Sequence, residues 1–565
     1  MPTEKRRSWI YLLLFFLLLL QVLTAVYYGY RKEGLFGDEL WTYILANNYY
    51  EPFLGNMDKY LNVWITEPGF WGNKMTAVPE HLFAYDSVLY NLSCDVHPPL
   101  YFLLFHTVCS FFPGQFSKWF GLVPNLLFFV MAQLALFRLS VKLLRKPSLG
   151  LAVCLFYGFA WGTINNVVYI RAYVLLTVFA ILAFASHLDL EERFTPVRLG
   201  LALLISLAGF LTQYYFLVYQ FFVSAGFCAW LLRERRYRQT LAYSVAYLLD
   251  LVAVWLLFPA VVGQLSGKIG YQAANAYRNL VATSLGERMI IFGKILGRDV
   301  FGLHKDALLI LLAVVCFALL IRKFWGRIKA LSPARREEGI RFPPWTGRGK
   351  PRPSISIAPG EAGLSLGYMA LVAAAYFVVI LKVAPYYATR YIVIIEPWVC
   401  VLFIFILDRV CQSFRMSWKG FFFALCLLVA LSAHKMYSVH NLFVYDHWYP
   451  QTMTVIAQEK GNIGFVLFKS EKDTGWWKVV WNLLYLLYLR SVRYSYVTQE
   501  GNLDKAAEIL QDYGKIHDKV LVYRSYDCRL PRNEFANRVS ALTDFKHWRI
   551  LNPGGTGGEI FCFEK

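Results

Sequence analysis

Long apolar segments alternate with short polar ones over most of the 565-residue chain. About 20 apolar residues in a row are long enough to cross a bilayer as a helix. The first such run, Trp9 to Tyr28, follows Lys5-Arg6-Arg7 and is longer than the core of a signal peptide, so it predicts an uncleaved helix. The other predicted spans are roughly 119–141, 148–166, 168–188, 197–213, 214–232, 240–262, 306–322, 364–384, 391–410 and 419–436.

Clusters of Lys and Arg follow alternate spans, as expected for cytoplasmic loops, and the largest lies within 322–362. One segment breaks this alternation. His97 to Phe112 is apolar but short, and a crossing there would place every later basic cluster outside. We therefore predict a re-entrant or surface-lying helix within a first external loop, 31–118. The pattern predicts an all-α polytopic membrane protein with about 11–13 spans.

The last part of the chain, 437–565, has a different pattern from the transmembrane part, 1–436. Two strand-like runs, Gly464 to Phe468 and Lys519 to Tyr523, flank a helical stretch from Leu503 to Tyr513. This order predicts a small α/β domain outside the cytoplasm. The apolar segment Trp476 to Leu489 is compatible with an interfacial helix or with a further span, which would move the C-terminus inside.

Composition supports the membrane assignment, because 57% of the residues are hydrophobic and only 17% are charged. The net charge of +20 does not indicate nucleic-acid binding, since the basic residues lie between apolar spans and no RNA-binding motif is present. Membrane lipids are the expected surroundings, and no nucleic-acid partner is expected.

Two polar clusters in the first external loop are candidates for chemistry. Asp38 and Glu39 follow the first span, and Asp95 and His97 stand before Pro98-Pro99. A carboxylate near lipid is costly unless it lines a wet cavity. Each cluster also has a simpler interpretation as the capped start of a helix. Because both occur in one loop, we predict an active site at the membrane surface, with a carboxylate as general base.

Three external helix junctions each carry tyrosine, and two of them also carry arginine. An interfacial aromatic belt with snorkelling arginine explains any one junction, whereas the set together indicates a site for an anionic headgroup and a sugar. The residues are Arg171 and Tyr173, Gln213 and Tyr214, and Arg390 and Tyr391.

In this order the motifs resemble the GT-C superfamily of integral-membrane glycosyltransferases. The most specific matches are Gly37-Asp38-Glu39 and Asp95-Val96-His97-Pro98-Pro99-Leu100, and the resemblance covers roughly residues 1–410. The branch that it resembles most is the protein O-mannosyltransferase and aminoarabinose-transferase-like group (glycosyltransferase family 39-like). Protein mannosyltransferases carry a Lys shortly after this motif, but Tyr101, Phe102 and Leu103 follow here, which places a protein acceptor in doubt.

The resemblance implies a GT-C fold and a polyprenyl-phosphate-linked sugar donor, with a lipid, a glycan or a protein as acceptor on the extracytoplasmic face of a plasma or inner membrane. Asp38 would be the catalytic base and Glu39 would assist it. His97, Arg171 and Arg390 would hold the donor phosphate or shape the site. Displacement by one base predicts inversion at the anomeric carbon. No cofactor is certain, and a requirement for a divalent metal stays open.

Two other functions remain alternatives: a transporter or flippase of lipid-linked glycans, and an assembly factor that works through its tail. Transporters usually show internal repeats and broken helices at the membrane midplane. Here the polar residues cluster at one surface, which favours an enzyme.

Overall fold

The computed structural model describes residues 2–32, 35–52, 61–67, 70–269, 272–282, 284–302, 359–414, 416–439, 464–469, 494–525, 528–551 and 558–565. Helices make up most of the described residues up to Val439. In the described residues, six helices are long and apolar enough to cross a membrane, and the number rises to seven if one bent pair counts as a span. This confirms a helical membrane protein, while a total of 11–13 spans remains a prediction.

The helices run in chain order from α1 to α18. Their bounds are α1 Pro2–Arg31, α2 Gly37–Asn47, α3 Phe70–Asn73, α4 Tyr85–Ser93, α5 Leu100–Ser110, α6 Trp119–Leu144, α7 Pro147–Gly158, α8 Trp161–Val168, α9 Tyr173–Glu192, α10 Pro196–Thr212, α11 Tyr215–Arg233, α12 Tyr237–Leu257, α13 Ala260–Leu265, α14 Gln272–Ala282, α15 Leu285–Phe301, α16 Pro359–Val383, α17 Glu396–Ser413 and α18 Trp418–Val439.

The span predicted at 148–166 is broken. It forms α7 and α8, which meet at an angle of 63°. Tyr169, Ile170 and Arg171 follow directly after α8, before α9 begins. The bend between α7 and α8 therefore determines the position of this short connection and of its arginine, Arg171.

Helix α5, which covers most of the segment from His97 to Phe112, has 11 residues. At 1.5 Å per residue it is about 16 Å long, roughly half the thickness of a hydrocarbon core. It packs against α2, α4 and α6. Its length agrees with the prediction that this segment does not cross. The predicted span 306–322 and the apolar segment 476–489 lie outside the described residues.

Five strands of the C-terminal part and one strand of the first loop form a six-stranded sheet with the order β1-β3-β2-β4-β6-β5. β2 pairs in parallel with β3 and β4, whereas the other neighbouring strands are antiparallel. The strands are β1 Trp64–Ile65, β2 Gly464–Lys469, β3 Tyr494–Gln499, β4 Lys519–Ser525, β5 His547–Ile550 and β6 Gly558–Glu564, and the helices are α19 Leu503–Gly514 and α20 Arg532–Leu542. The predicted strands and helix of the tail are confirmed.

The two faces of this sheet have different neighbours, because successive side chains of a strand point to opposite sides. On β4, Val520 and Val522 belong to a core with α19 and α20. Leu521 and Tyr523 belong instead to the core that continues into the membrane helices. The sheet is therefore packed directly on the helical part of the chain.

Strand β1 comes from the first loop and not from the C-terminal part. It pairs antiparallel with β3, and the Trp64 ring stacks on Tyr513 with a centroid distance of 5.5 Å. Beside it, the Thr498 hydroxyl donates to the Asn62 side chain at 2.7 Å. The loop that carries both acidic clusters is thus attached to the C-terminal sheet, which the sequence did not predict.

Candidate active site

Asp38 lies in the first turn of α2 and meets two side chains that are distant in sequence. Its Oδ2 accepts a hydrogen bond from the Tyr169 hydroxyl at 2.8 Å and pairs with the guanidinium of Arg390, 352 residues away. The Asp38 and Arg390 side chains are 22% and 24% exposed, respectively. A carboxylate and a guanidinium therefore meet at a place that solvent or a ligand can reach.

Arg171 lies beneath this pair and is only 4% exposed. One terminal nitrogen donates to the Asp38 carbonyl oxygen at 3.0 Å and to the Thr42 hydroxyl at 3.2 Å. The other lies 2.6 Å from His97 Nε2. Both terminal nitrogens of Arg171 are engaged by the protein itself, and their contacts hold α2 against the connection between α8 and α9.

His97 links Asp95 to Arg171. Its Nδ1 lies 2.9 Å from Asp95 Oδ2. Because arginine can only donate, His97 Nε2 must accept, so the ring proton resides on Nδ1 and is donated to Asp95. Asp95, His97 and Arg171 therefore form a chain of hydrogen bonds.

Glu39 has a different environment from its neighbour. Its side chain is 0% exposed and pairs with Lys32, which is 3% exposed. It also accepts from the backbone N–H groups of Phe36 at 2.6 Å and Ile170 at 2.8 Å. These bonds cap α2 and fasten it to the residue before Arg171, so the Glu39 oxygens are occupied by protein donors.

The arginines lower the pKa of Asp38. Burial by itself raises the pKa, but the attraction of Arg390 and Arg171 and the hydrogen bond from Tyr169 outweigh it. Burial also raises the pKa of Asp95, and there the contacts with His97 and the Val96 amide give a net lowering. Both carboxyl groups are therefore held as anions.

Of the remaining predicted residues, Tyr173 and Tyr391 lie against the site, and Tyr214 reaches it only through Gln264. Tyr173 stacks on Tyr169 with a centroid distance of 5.9 Å, and Arg390 lies over the Tyr391 ring at 5.4 Å. Gln213 accepts from the amide of Tyr214, whose hydroxyl donates to Gln264 rather than to any of the predicted residues.

Four residues of this region were not predicted from the sequence. Tyr169 belongs to the tyrosine-arginine junction, which was a usable signal. Thr42 lies one helical turn after Asp38 and supports Arg171. Gln264 donates to the carbonyl oxygens of Leu92 and Asp95 at 2.7 and 2.6 Å and so supports the second acidic cluster. The fourth residue is Arg288, and the local sequence around Gln264 and Arg288 carried no signal.

Arg288 is 3% exposed. Its guanidinium donates to the Ala384 carbonyl oxygen and lies over the rings of Phe292 and Tyr387. No carboxylate of the described residues pairs with it. Ala384 and Tyr387 belong to the connection between α16 and α17 that also carries Arg390. A second buried guanidinium therefore lies against this connection.

The described residues contain no group of three or more His, Cys, Asp or Glu side chains that is placed to hold a metal ion. The divalent metal left open by the sequence accordingly has no ligand set in the described ranges, and the question of metal dependence stays open.

No family model matches the chain, and no curated protein sequence matches it. The fold is similar to the crystal structure of ArnT from Cupriavidus metallidurans bound to undecaprenyl phosphate. The TM-score is 0.46 and the sequence identity 12%, over 98% of this chain and 98% of that chain. A similarity at this level does not establish a shared function.

Proposed function

We propose that this protein is a GT-C glycosyltransferase that transfers a sugar from a polyprenyl-phosphate-linked donor to an acceptor hydroxyl on the extracytoplasmic side of the membrane. The observation that carries the proposal is the Asp38–Arg390 pair. An anion suited to an acceptor's proton and a cation suited to a leaving phosphate lie side by side at a partly exposed position.

Asp38 is assigned the role of general base. A carboxylate with a lowered pKa is a weak base, so it cannot create an alkoxide before the sugar departs. Sugar transfer passes through an oxocarbenium-like transition state, in which the acceptor hydroxyl gains acidity as its bond to the anomeric carbon forms. A weak base that receives the proton late is sufficient for this reaction, and it stays ionised over the physiological pH range.

Arg390 and Arg288 are assigned to the donor phosphate. The leaving group is already a phosphate ester, so its departure needs stabilisation of negative charge rather than a proton. Arg390 is partly exposed, whereas Arg288 is a buried cation to which no described carboxylate is paired. An uncompensated buried charge is costly, and a bound phosphate would compensate it.

The other predicted residues then act through these groups. Glu39 caps α2, and Asp95 with His97 orients Arg171, which holds the backbone of Asp38. Glu39 is fully buried and Asp95 is only 9% exposed, whereas the Asp38 side chain is 22% exposed, so Asp38 is the carboxylate that an acceptor can reach as base. Because the phosphate leaves without a proton, no general acid is needed, and one carboxylate acting as base is sufficient for direct displacement with inversion.

The experiment compares Asp38→Asn and Arg390→Gln in the full-length protein in lipid nanodiscs. We expect Asp38→Asn to bind undecaprenyl phosphate and to lose transfer by about 10²–10⁴-fold. Arg390→Gln should bind undecaprenyl phosphate measurably more weakly. Asp86→Asn and Arg138→Gln are matched controls, because both side chains are exposed and lie outside the site.

Transfer is measured through the lipids and envelope glycans of cells that lack the protein and are complemented by each variant. A sugar that is missing in these cells, and is restored by Asp86→Asn but not by Asp38→Asn, supports the proposal. Full restoration by Asp38→Asn would refute it. If, in cells that lack the protein, the lipid-linked sugar stays on the cytoplasmic leaflet, the protein acts as a flippase.

A further inference from the structure

A buried cluster of charged side chains lies at the end of the segment that carries Arg390. Arg298 and Asp299 are adjacent near the end of α15, and Glu396 is the first residue of α17. Asp299 and Glu396 are 0% and 1% exposed. The segment Thr389–Glu396, which carries Arg390, therefore ends at this cluster.

Arg298 connects the other end of this segment to the cluster. Its side chain reaches Asp299 Oδ1 at 2.9 Å and donates to the Thr389 hydroxyl at 3.1 Å. Its guanidinium also lies over the Trp161 ring, 4.4 Å from the centroid. One arginine thus joins α15, the start of α8 and the residue directly before Arg390.

The two carboxyl groups converge on Gly162, in the first turn of α8. A Cβ atom at Gly162 would lie 2.7 Å from Asp299 Cβ and 3.1 Å from each carboxyl oxygen of Glu396. In the described part of the chain, neither Glu396 oxygen has a hydrogen-bond partner, and neither does Asp299 Oδ2. Glycine is required here because any side chain would occupy the space that the carboxyl groups use.

The charges of this cluster do not balance if both acids are ionised. Arg298 compensates one carboxylate, and the bond to Asp299 Oδ1 identifies that carboxylate as Asp299. Asp299 and Arg298 are the titratable groups that act on Glu396, and the one cation among them, Arg298, is already bonded to Asp299. A buried carboxylate with no hydrogen bond and no cation of its own is strongly disfavoured, which favours a neutral Glu396 carboxylic acid.

We propose that Arg298, bonded to Asp299 and Thr389, and neutral Glu396, packed against Gly162, form a clamp that fixes both ends of the segment Thr389–Glu396 and thereby positions Arg390 toward Asp38. The segment consists of two short 3₁₀ turns, Thr389–Tyr391 and Val393–Ile395. Such turns have few internal hydrogen bonds, so tertiary contacts must set their position. The consequence for ligand binding rests on the proposed role of Arg390 as a phosphate ligand.

The binding test is a double-mutant cycle with undecaprenyl phosphate as the probe and the full chain in nanodiscs. If Arg298 acts through Arg390, Arg298→Gln weakens binding by about tenfold but has no further effect in the Arg390→Gln background. Arg298→Lys, which keeps the charge but not the planar fork, should recover part of the affinity. Additive losses in the double variant would mean that Arg298 is only structural and would overturn the clamp.

Two readouts do not depend on any ligand. Hydrogen exchange should become faster at the amides of Ile392 and Ile395, which are bonded within the segment, in Arg298→Gln but not in Arg138→Gln. The infrared spectrum should contain a carbonyl band of a protonated carboxylic acid that disappears in Glu396→Gln. Unchanged exchange, or no such band in the wild type, would overturn the clamp.

These outcomes separate the clamp from the proposed function. If the wild-type protein does not bind undecaprenyl phosphate, the assignment of Arg390 as a phosphate ligand is wrong, and hydrogen exchange still decides whether the clamp exists. If Arg390→Gln weakens binding while Arg298→Gln binds normally, the clamp is wrong and the role of Arg390 stands.

Discussion

Replacement of Glu39 by Gln should destabilise the protein, although the adjacent Asp38→Asn should mainly affect catalysis. Glu39 is fully buried and forms an ion pair with Lys32, which is also buried. Removing one partner of a buried pair leaves the other charge uncompensated and costs about 3–5 kcal/mol. The Gln side chain would also place its NH2 group, which cannot accept, against one of the two backbone N–H donors of Phe36 and Ile170. The unpaired donor adds about 1–3 kcal/mol to the loss of stability.

The sum, roughly 4–8 kcal/mol, is comparable with the whole stability of many proteins. Asp38→Asn has no such effect, because its side chain is partly exposed and the amide oxygen can still accept from Tyr169. We therefore expect Glu39→Gln to give little folded protein by size-exclusion chromatography in detergent and a clearly lower apparent melting temperature. Asp38→Asn should resemble the wild type in both assays.

A double variant provides the control for poor expression. Lys32→Met combined with Glu39→Gln removes both charges of the pair, so it should fold better than Glu39→Gln alone. If Glu39→Gln instead folds like the wild type and loses only activity, Glu39 takes part in the chemistry and the argument from its buried contacts is wrong.

Three further results are expected. Arg390→Gln should move the acidic limb of the kcat–pH profile to higher pH, because Arg390 lowers the pKa of Asp38 and only the ionised carboxylate is active. If this limb does not move, Asp38 is not the base that titrates there. Gly162→Ala should lower the apparent melting temperature through a clash that costs about 1–3 kcal/mol, whereas Gly286→Ala, with no atom within 4 Å, should not. Trp64→Ala removes ring contacts with two tyrosines and should increase limited proteolysis of the first loop. An unchanged cleavage pattern would show that β1 does not depend on this ring.

Periodicity and hydropathy identified most of the helices because burial in lipid requires long continuous apolar segments, which are visible locally. The C-terminal strands and helix were also predicted by local alternation. The break between α7 and α8 was not predicted, because the hydropathy pattern of an apolar segment is the same whether the segment is straight or bent by 63°. The pairing of β1 with β3 was missed because a two-residue strand has no periodicity of its own.

For the candidate site, the motifs indicated that Asp38, Arg171 and Arg390 belong together, and the structure places all three in one hydrogen-bonded network. In the structure Arg171 is buried and supports Asp38, whereas the sequence suggested that Arg171 binds phosphate. Arg288 was missed because nothing around it in the chain distinguishes a buried arginine from a surface one.

The sequence by itself determined that the chain is a helical membrane protein with acidic and basic residues at the helix junctions. Only the tertiary structure decided which member of the Asp38-Glu39 pair is partly exposed beside Arg390 and which is buried against Lys32. Neighbouring residues on a helix point in directions about 100° apart, so an acidic dipeptide presents two different faces. Which face meets the arginine depends on how α2 packs on the connection after α8, and that packing is set by residues more than 100 positions away.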